Sequence, residues 1–195
     1  ALGLPVAAFL SVLAPRWGAA RGATSVAAAA GGGGGGGGGF VCFQRYALCT
    51  SAPCELSPTD PSISVCRCFV EDGPSFGSTA CEQRAATGDT LYSSFSLQNI
   101  TDSSTFMTCP SGSPWANCLD VVCTVDPADP TQALCQCLTV QTGSSITFGG
   151  NCDLSTCSTV VWSAATSDMI EQAVSAFTAA AQERSVPVSL PANCV

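Results

Sequence analysis

Two stretches of the chain set their cysteines to one measure. "CELSPTDPSISVCRC" (54–68) and "CTVDPADPTQALCQC" (123–137) each carry a Cys, a Pro-x-Asp-Pro stretch and a Cys-x-Cys, 69 residues apart. Extended outward, one set comprises Cys42, Cys49, Cys54, Cys66, Cys68 and Cys81. The other comprises Cys109, Cys118, Cys123, Cys135, Cys137 and Cys152. The intervening stretches are 6, 4, 11, 1 and 12 residues in the first set and 8, 4, 11, 1 and 14 in the second. Other residues keep step, with Tyr46-Ala47 against Trp115-Ala116 and Leu91-Tyr92-Ser93 against Val161-Trp162-Ser163. The pattern predicts a small, disulfide-rich, mainly β protein. It reads as a tandem duplication of a six-cysteine β-hairpin module, followed by one C-terminal α-helix.

The hairpin follows from local chemistry. Proline fixes φ and Asp caps a turn, so Pro-x-Asp-Pro is a reversal between short strands rich in β-formers. A turn at Asp60 sets Cys54 opposite Cys66, and one at Asp129 sets Cys123 opposite Cys135. Strand alternation puts Cys66 and Cys68 on one face, so they should bond to different partners. A second bend is expected at "EDGPSFG" and at "QTGSSITFGG".

Flanking segments set the remaining boundaries. Residues 1–30 open with fourteen apolar residues and read as a signal peptide or signal-like segment, too short to span a bilayer comfortably. Nine glycines at 31–39 form a tether. Cysteine-rich units are expected at 40–106 and 107–166, with a helix and tail at 167–195 docked on the second. Asp168 and Glu171 form a capping pair there, and Ile170, Val174, Phe177 and Ala181 make an apolar stripe. Cys157 and Cys194 bracket the helix and should close it.

Fourteen cysteines in an exported chain point to seven structural disulfides and to no cofactor or metal. There is no histidine and no CxxC knuckle, which metal and redox sites favour. Six cysteines allow fifteen connectivities, and the spacing leaves them open. The 6, 4, 11, 1 spacing, followed by a loop containing Phe-Gly, resembles an EGF-like module, although the last loop is longer than that family's. The resemblance implies pairing of first to third, second to fourth and fifth to sixth cysteine.

Catalysis has few candidates. Without histidine or lysine there is no Ser-His, Cys-His or Ser-Lys arrangement and no Schiff base. A two-carboxylate hydrolase could draw only on Glu71 with Asp72, expected in a solvated bend, or on Asp126 with Asp129, expected as turn caps. The latter loop is also a weak calcium candidate. The net charge is −8, becoming −10 without residues 1–40, and this excludes phosphate backbones and disfavours anionic membranes. Asn99 in "NIT" is a candidate glycosylation site in an exposed linker. These features describe a secreted or cell-surface protein (periplasmic in a bacterium), non-enzymatic and without a transmembrane span in the mature chain. Its partner is an unidentified protein or glycan, and self-association is a further expectation. The alternative is a disulfide-stapled inhibitor or effector of a partner protein.

Overall fold

Both Pro-x-Asp-Pro stretches reverse the chain in the computed structural model, which describes residues 25–27, 39–101, 106–150, 152 and 160–183. In chain order the elements begin with β1 (Ser25–Ala27), β2 (Phe40–Leu48), β3 (Pro53–Leu56), β4 (Ile63–Gly77), β5 (Thr90–Ser96) and α1 (Leu97–Thr101). They continue with β6 (Phe106–Cys109), β7 (Trp115–Asn117), β8 (Val122–Asp126), β9 (Asp129–Val140), β10 (Ser145–Phe148), β11 (Val160–Ala164) and α2 (Ser167–Glu183). The turns are built alike. Asp60 Oδ1 accepts the Ser62 N–H at 3.0 Å and its hydroxyl at 2.6 Å, and Asp129 Oδ1 accepts the same groups of Thr131 at 3.1 and 2.6 Å. These bonds hold both carboxyls below the usual carboxylate range.

Cys54 lies opposite Cys66 and Cys123 opposite Cys135, as the turns require. The disulfides are nested: Cys42–Cys81, Cys49–Cys68 and Cys54–Cys66, then Cys109–Cys152, Cys118–Cys137 and Cys123–Cys135. This corrects the EGF-like pairing. Hairpin register brings the third and fourth cysteines together with Cα atoms 4.0 Å apart, leaving the fifth for the second, which arrives at the end of β2. Six bonds lie among the described residues. Cys157 and Cys194 lie outside them.

The two segments are interwoven. The long strands β4 and β9 pair antiparallel, with Cys66 directly opposite its counterpart Cys135 and Phe69 opposite Gln132. Each pair of residue numbers sums to 201, so adding 69 to one partner and subtracting 69 from the other returns a pair of the same register. Such self-complementary pairing is the rule of a two-fold interface. The closing strands cross over reciprocally. β5 runs parallel to β2 and pairs with β8 at Leu91↔Cys123, while β11 runs parallel to β7 and pairs with β3 at Val161↔Cys54. Two closed circuits result, β2-β4-β9-β8-β5 and β3-β4-β9-β7-β11, sharing the central pair.

Inside lies a core that is largely sulfur. Cys49, Cys54, Cys66, Cys68, Cys118, Cys123, Cys135 and Cys137 are buried beside Ala47, Ala116, Leu91 and Val161. The Sγ atoms of Cys49 and Cys135 are 3.3 Å apart, and those of Cys118 and Cys66 3.4 Å. Small β-circuits leave no room for large side chains, and compact disulfides fill the space at interior density.

Five expectations change. Chain 63–77 forms one strand instead of bending at Gly73-Pro74, because β2 pairs along its length from Phe69 to Gly77. Ser25–Ala27 joins the sheet by pairing with Phe40–Cys42, so the segment assigned to signal and tether is partly within the fold. Helix α2 is capped by Thr166, whose hydroxyl accepts the Met169 N–H at 3.3 Å, in place of Asp168. Its buried stripe is Ile170, Ala173, Ala176, Phe177 and Ala180, and it packs on Val41, Phe76, Phe95 and Ile100 as well as Phe148. The helix therefore sits largely on the first segment, where continuous strands offer the larger apolar surface.

Candidate binding face and cleft

The sulfur core fixes which residues the β4–β9 pair shows to solvent. Cys66, Cys68, Cys135 and Cys137 point inward, so alternation turns Val65, Arg67 and Phe69 outward beside Gln136, Leu134 and Gln132. Leu138 joins them opposite Ile63. Exposure matches across the 69-residue shift: Phe69 and Leu138 are each 58% exposed, Val65 37% and Leu134 38%. The result is an apolar strip on the outside of a sheet whose inner face is cross-linked. Glu55 stands opposite Val65, and Arg67 pairs with Asp126 at 3.6 Å.

Beyond Phe69 the strip runs into a cleft of about 420 Å³ between β2, β4 and α1. Tyr46, directly opposite Glu71, lies in its floor at 4% exposure. Leu48, Leu97 and Pro74 supply apolar wall, Ser96 and Asn99 polar wall, and Glu71 and Asp72 the acidic rim. Burial, and next the charge of Glu71, pushes the Tyr46 hydroxyl up to about 12, with the nearby Ser96 hydroxyl acting the other way. Tyr46 is thus a neutral hydroxyl throughout the physiological range.

Glu71 and Asp72 are exposed on a strand instead of in a bend. Asp126 and Asp129 are engaged separately. Asp126 accepts the Ala128 N–H at 2.9 Å and pairs with Arg67, while Asp129 caps its turn. In both residues it is Oδ1 that caps the turn, while Asp126 Oδ2 faces Arg67. Asn99 is half-buried in α1, and its Nδ2 donates to Thr50 Oγ1 at 2.8 Å. A glycan there would replace one of the two Nδ2 hydrogens and leave one to donate to Thr50. The sulfurs of Cys49, Cys123 and Cys135, and those of Cys54, Cys66 and Cys118, lie within 4.8 Å of one another. All six are in disulfides, so metal binding there would first require reduction.

A lock the sequence did not announce lies outside the cleft. Arg84 is fully buried and pairs with Asp120 at 3.4 Å. Its guanidinium also donates to Thr79 O at 2.8 Å and Ser94 Oγ at 2.7 Å. Asp120, with φ of 59°, accepts the Ser78 and Thr79 N–H groups at 2.6 and 2.9 Å. A Cβ on Gly77 would run into both side chains, which explains the glycine. The one available clue was compositional, since four cations in 155 residues make each arginine a candidate for a specific partner.

No family model matches this chain, and neither the curated proteins nor the solved structures contain a match.

Proposed function

We propose that the chain is a secreted or cell-surface, non-enzymatic binding protein whose scaffold arose by tandem duplication of a six-cysteine hairpin module. Duplication is supported by the shared nested bonding and by the shift-invariant register of β4 with β9. Export is supported by six disulfides, which persist in oxidising compartments. No helix among the described residues is long and apolar enough to cross a membrane.

The binding reading rests on the exposed strip Val65, Phe69, Leu134 and Leu138, since monomers rarely leave contiguous apolar surface open without a use. The partner is a basic polypeptide. A second copy would bring its own net charge of −8 against Glu55, Glu71 and Asp126, which flank the strip, whereas a cationic partner is steered toward them.

Incorporation of the photo-cross-linker p-benzoylphenylalanine at position 69 tests this, with exposed Ser111 as the control position. Irradiation in the extracellular fluid of the source should yield basic proteins at position 69 but not at 111, in yields that fall with added salt. Equal labelling at both positions overturns the face, and adducts to the chain itself replace the basic partner by self-association.

A further inference from the structure

Resting on the binding reading but drawn from a different patch, we propose that the cleft between β2, β4 and α1 receives a single arginine side chain of the partner polypeptide. The cleft offers what a guanidinium on an aliphatic stem requires. Its rim carries Glu71 and Asp72, neither of which forms an ion pair among the described residues. Planar guanidinium groups match carboxylates with two parallel hydrogen bonds, which an ammonium cannot do. Leu48, Leu97 and Pro74 line the path a three-carbon stem would take, so the stem is covered while its head reaches the rim.

The polar wall is already in place before a ligand arrives. Asn99 Oδ1 accepts from the Ser96 hydroxyl at 2.9 Å and its Nδ2 is held by Thr50, so this wall needs little ordering on binding. Gly73, with φ of +146°, lines the same cleft, and a Cβ there would meet nothing within 4 Å. The space beside the rim is open.

The corresponding place in the second segment shows that acidity here is a local addition. Trp115 stands where Tyr46 does, opposite Val140 where Tyr46 faces Glu71, and Gln141 takes the position of Asp72. Two carboxylates thus mark one side of an otherwise matched frame. The only described cation near them is Arg45, opposite Asp72, whose Nη2 donates to Pro130 O at 3.5 Å.

The test uses the full oxidised chain, labelled with ¹⁵N, and three probes: acetyl-Leu-Arg-Leu-amide, its citrulline twin and agmatine. Citrulline keeps the shape of arginine and removes the charge. The arginine peptide should shift the amides of Gly73, Gln98 and Asn99, and the citrulline peptide should bind about tenfold more weakly, the size of one charge-assisted contact. Glu71→Gln and Asp72→Asn, both at exposed positions, should weaken the arginine peptide by a similar factor with the spectrum otherwise unchanged. Phe69→Ser should leave these shifts in place, which separates failure of the cleft from failure of the apolar strip. Equal binding of the two peptides, or no shift at the cleft with either, overturns the proposal. Agmatine binding as tightly as the arginine peptide overturns the assignment to a polypeptide side chain.

Discussion

The first and second segments keep one disulfide core and differ at its periphery. In the first, β2 and β4 run unbroken through Phe40–Leu48 and Ile63–Gly77. In the second, the corresponding stretches are split into β6 with β7 and β9 with β10. The cause is visible in the spacing, because two extra residues separate Cys109 from Cys118 and two more separate Cys137 from Cys152. The interruption between β6 and β7 contains Pro110, Gly112 with φ of 93°, and Pro114, which cannot continue a ladder. The cysteines set by the central spacing of 4, 11 and 1 are buried in the shared core, where a residue inserted within a strand would turn one of them to solvent. Insertions are tolerated where strands reach the surface. The unbroken side carries the cleft and the helix seat, and its Arg84 is locked to Asp120 of the second segment.

The largest expected effect breaks this asymmetry. Arg84→Met leaves the largely covered Asp120 without its counter-charge, and should cost about 3 to 5 kcal/mol in denaturant unfolding with disulfides intact. Arg67→Met removes an ion pair that is largely exposed and should cost about 0 to 1 kcal/mol. Equal effects would mean that the lock does not stabilise the first segment.

The next prediction concerns what the segments share. The double changes Cys49→Ala with Cys68→Ala and Cys118→Ala with Cys137→Ala each remove a bond spanning 19 residues. Each should cost about 3 kcal/mol, and the two losses should agree. A large disparity would show that the core is not equivalent on its two sides.

Alkaline titration separates Tyr46 from Trp115. The folded pKa of Tyr46 is raised above its ordinary value of 10.0 to about 12, so its contribution is complete below pH 10 and is lost as pH rises through 12. The loss should reach about 2 to 3 kcal/mol and vanish in Tyr46→Phe, as seen by unfolding at pH 9 and pH 12. Trp115, at the matching position, does not titrate. The smallest effects belong to the turn caps. Asp60→Ala and Asp129→Ala should each lower the melting temperature slightly and to the same extent. Because both folded pKa values are depressed, the caps stabilise above the ordinary carboxylate pKa near 3.8 and are lost as pH falls below it.

Local features were readable before the fold was. Asp60 and Asp129 bond to the backbone two residues on, and the opposition of Cys54 to Cys66 follows from the turn length alone. Helix α2 was visible from its period, although its stripe is offset by a residue and its cap is Thr166, since Ser, Thr and Asp compete for that role. The pairing of β4 with β9 and the crossing of β5 and β11 were not readable. Register between strands distant in sequence is set by which faces must be buried together, and no local pattern states this. The cleft was missed for the same reason. Tyr46, Glu71 and Asn99 meet only because β4 continues past Gly73-Pro74, a dipeptide that ordinarily marks a turn.

The two segments share nested bonding around one core, and a disulfide map tests it most directly. Arg67, whose side chain is 58% exposed, separates Cys66 from Cys68, so trypsin under non-reducing conditions can place the two in different peptides. The expected bonds are Cys54 to Cys66, Cys49 to Cys68 and Cys42 to Cys81, and, once a second protease has cut between Arg84 and Arg184, the same order from Cys109 to Cys152. Bonds from Cys42 to Cys54 and from Cys49 to Cys66 would contradict that nesting.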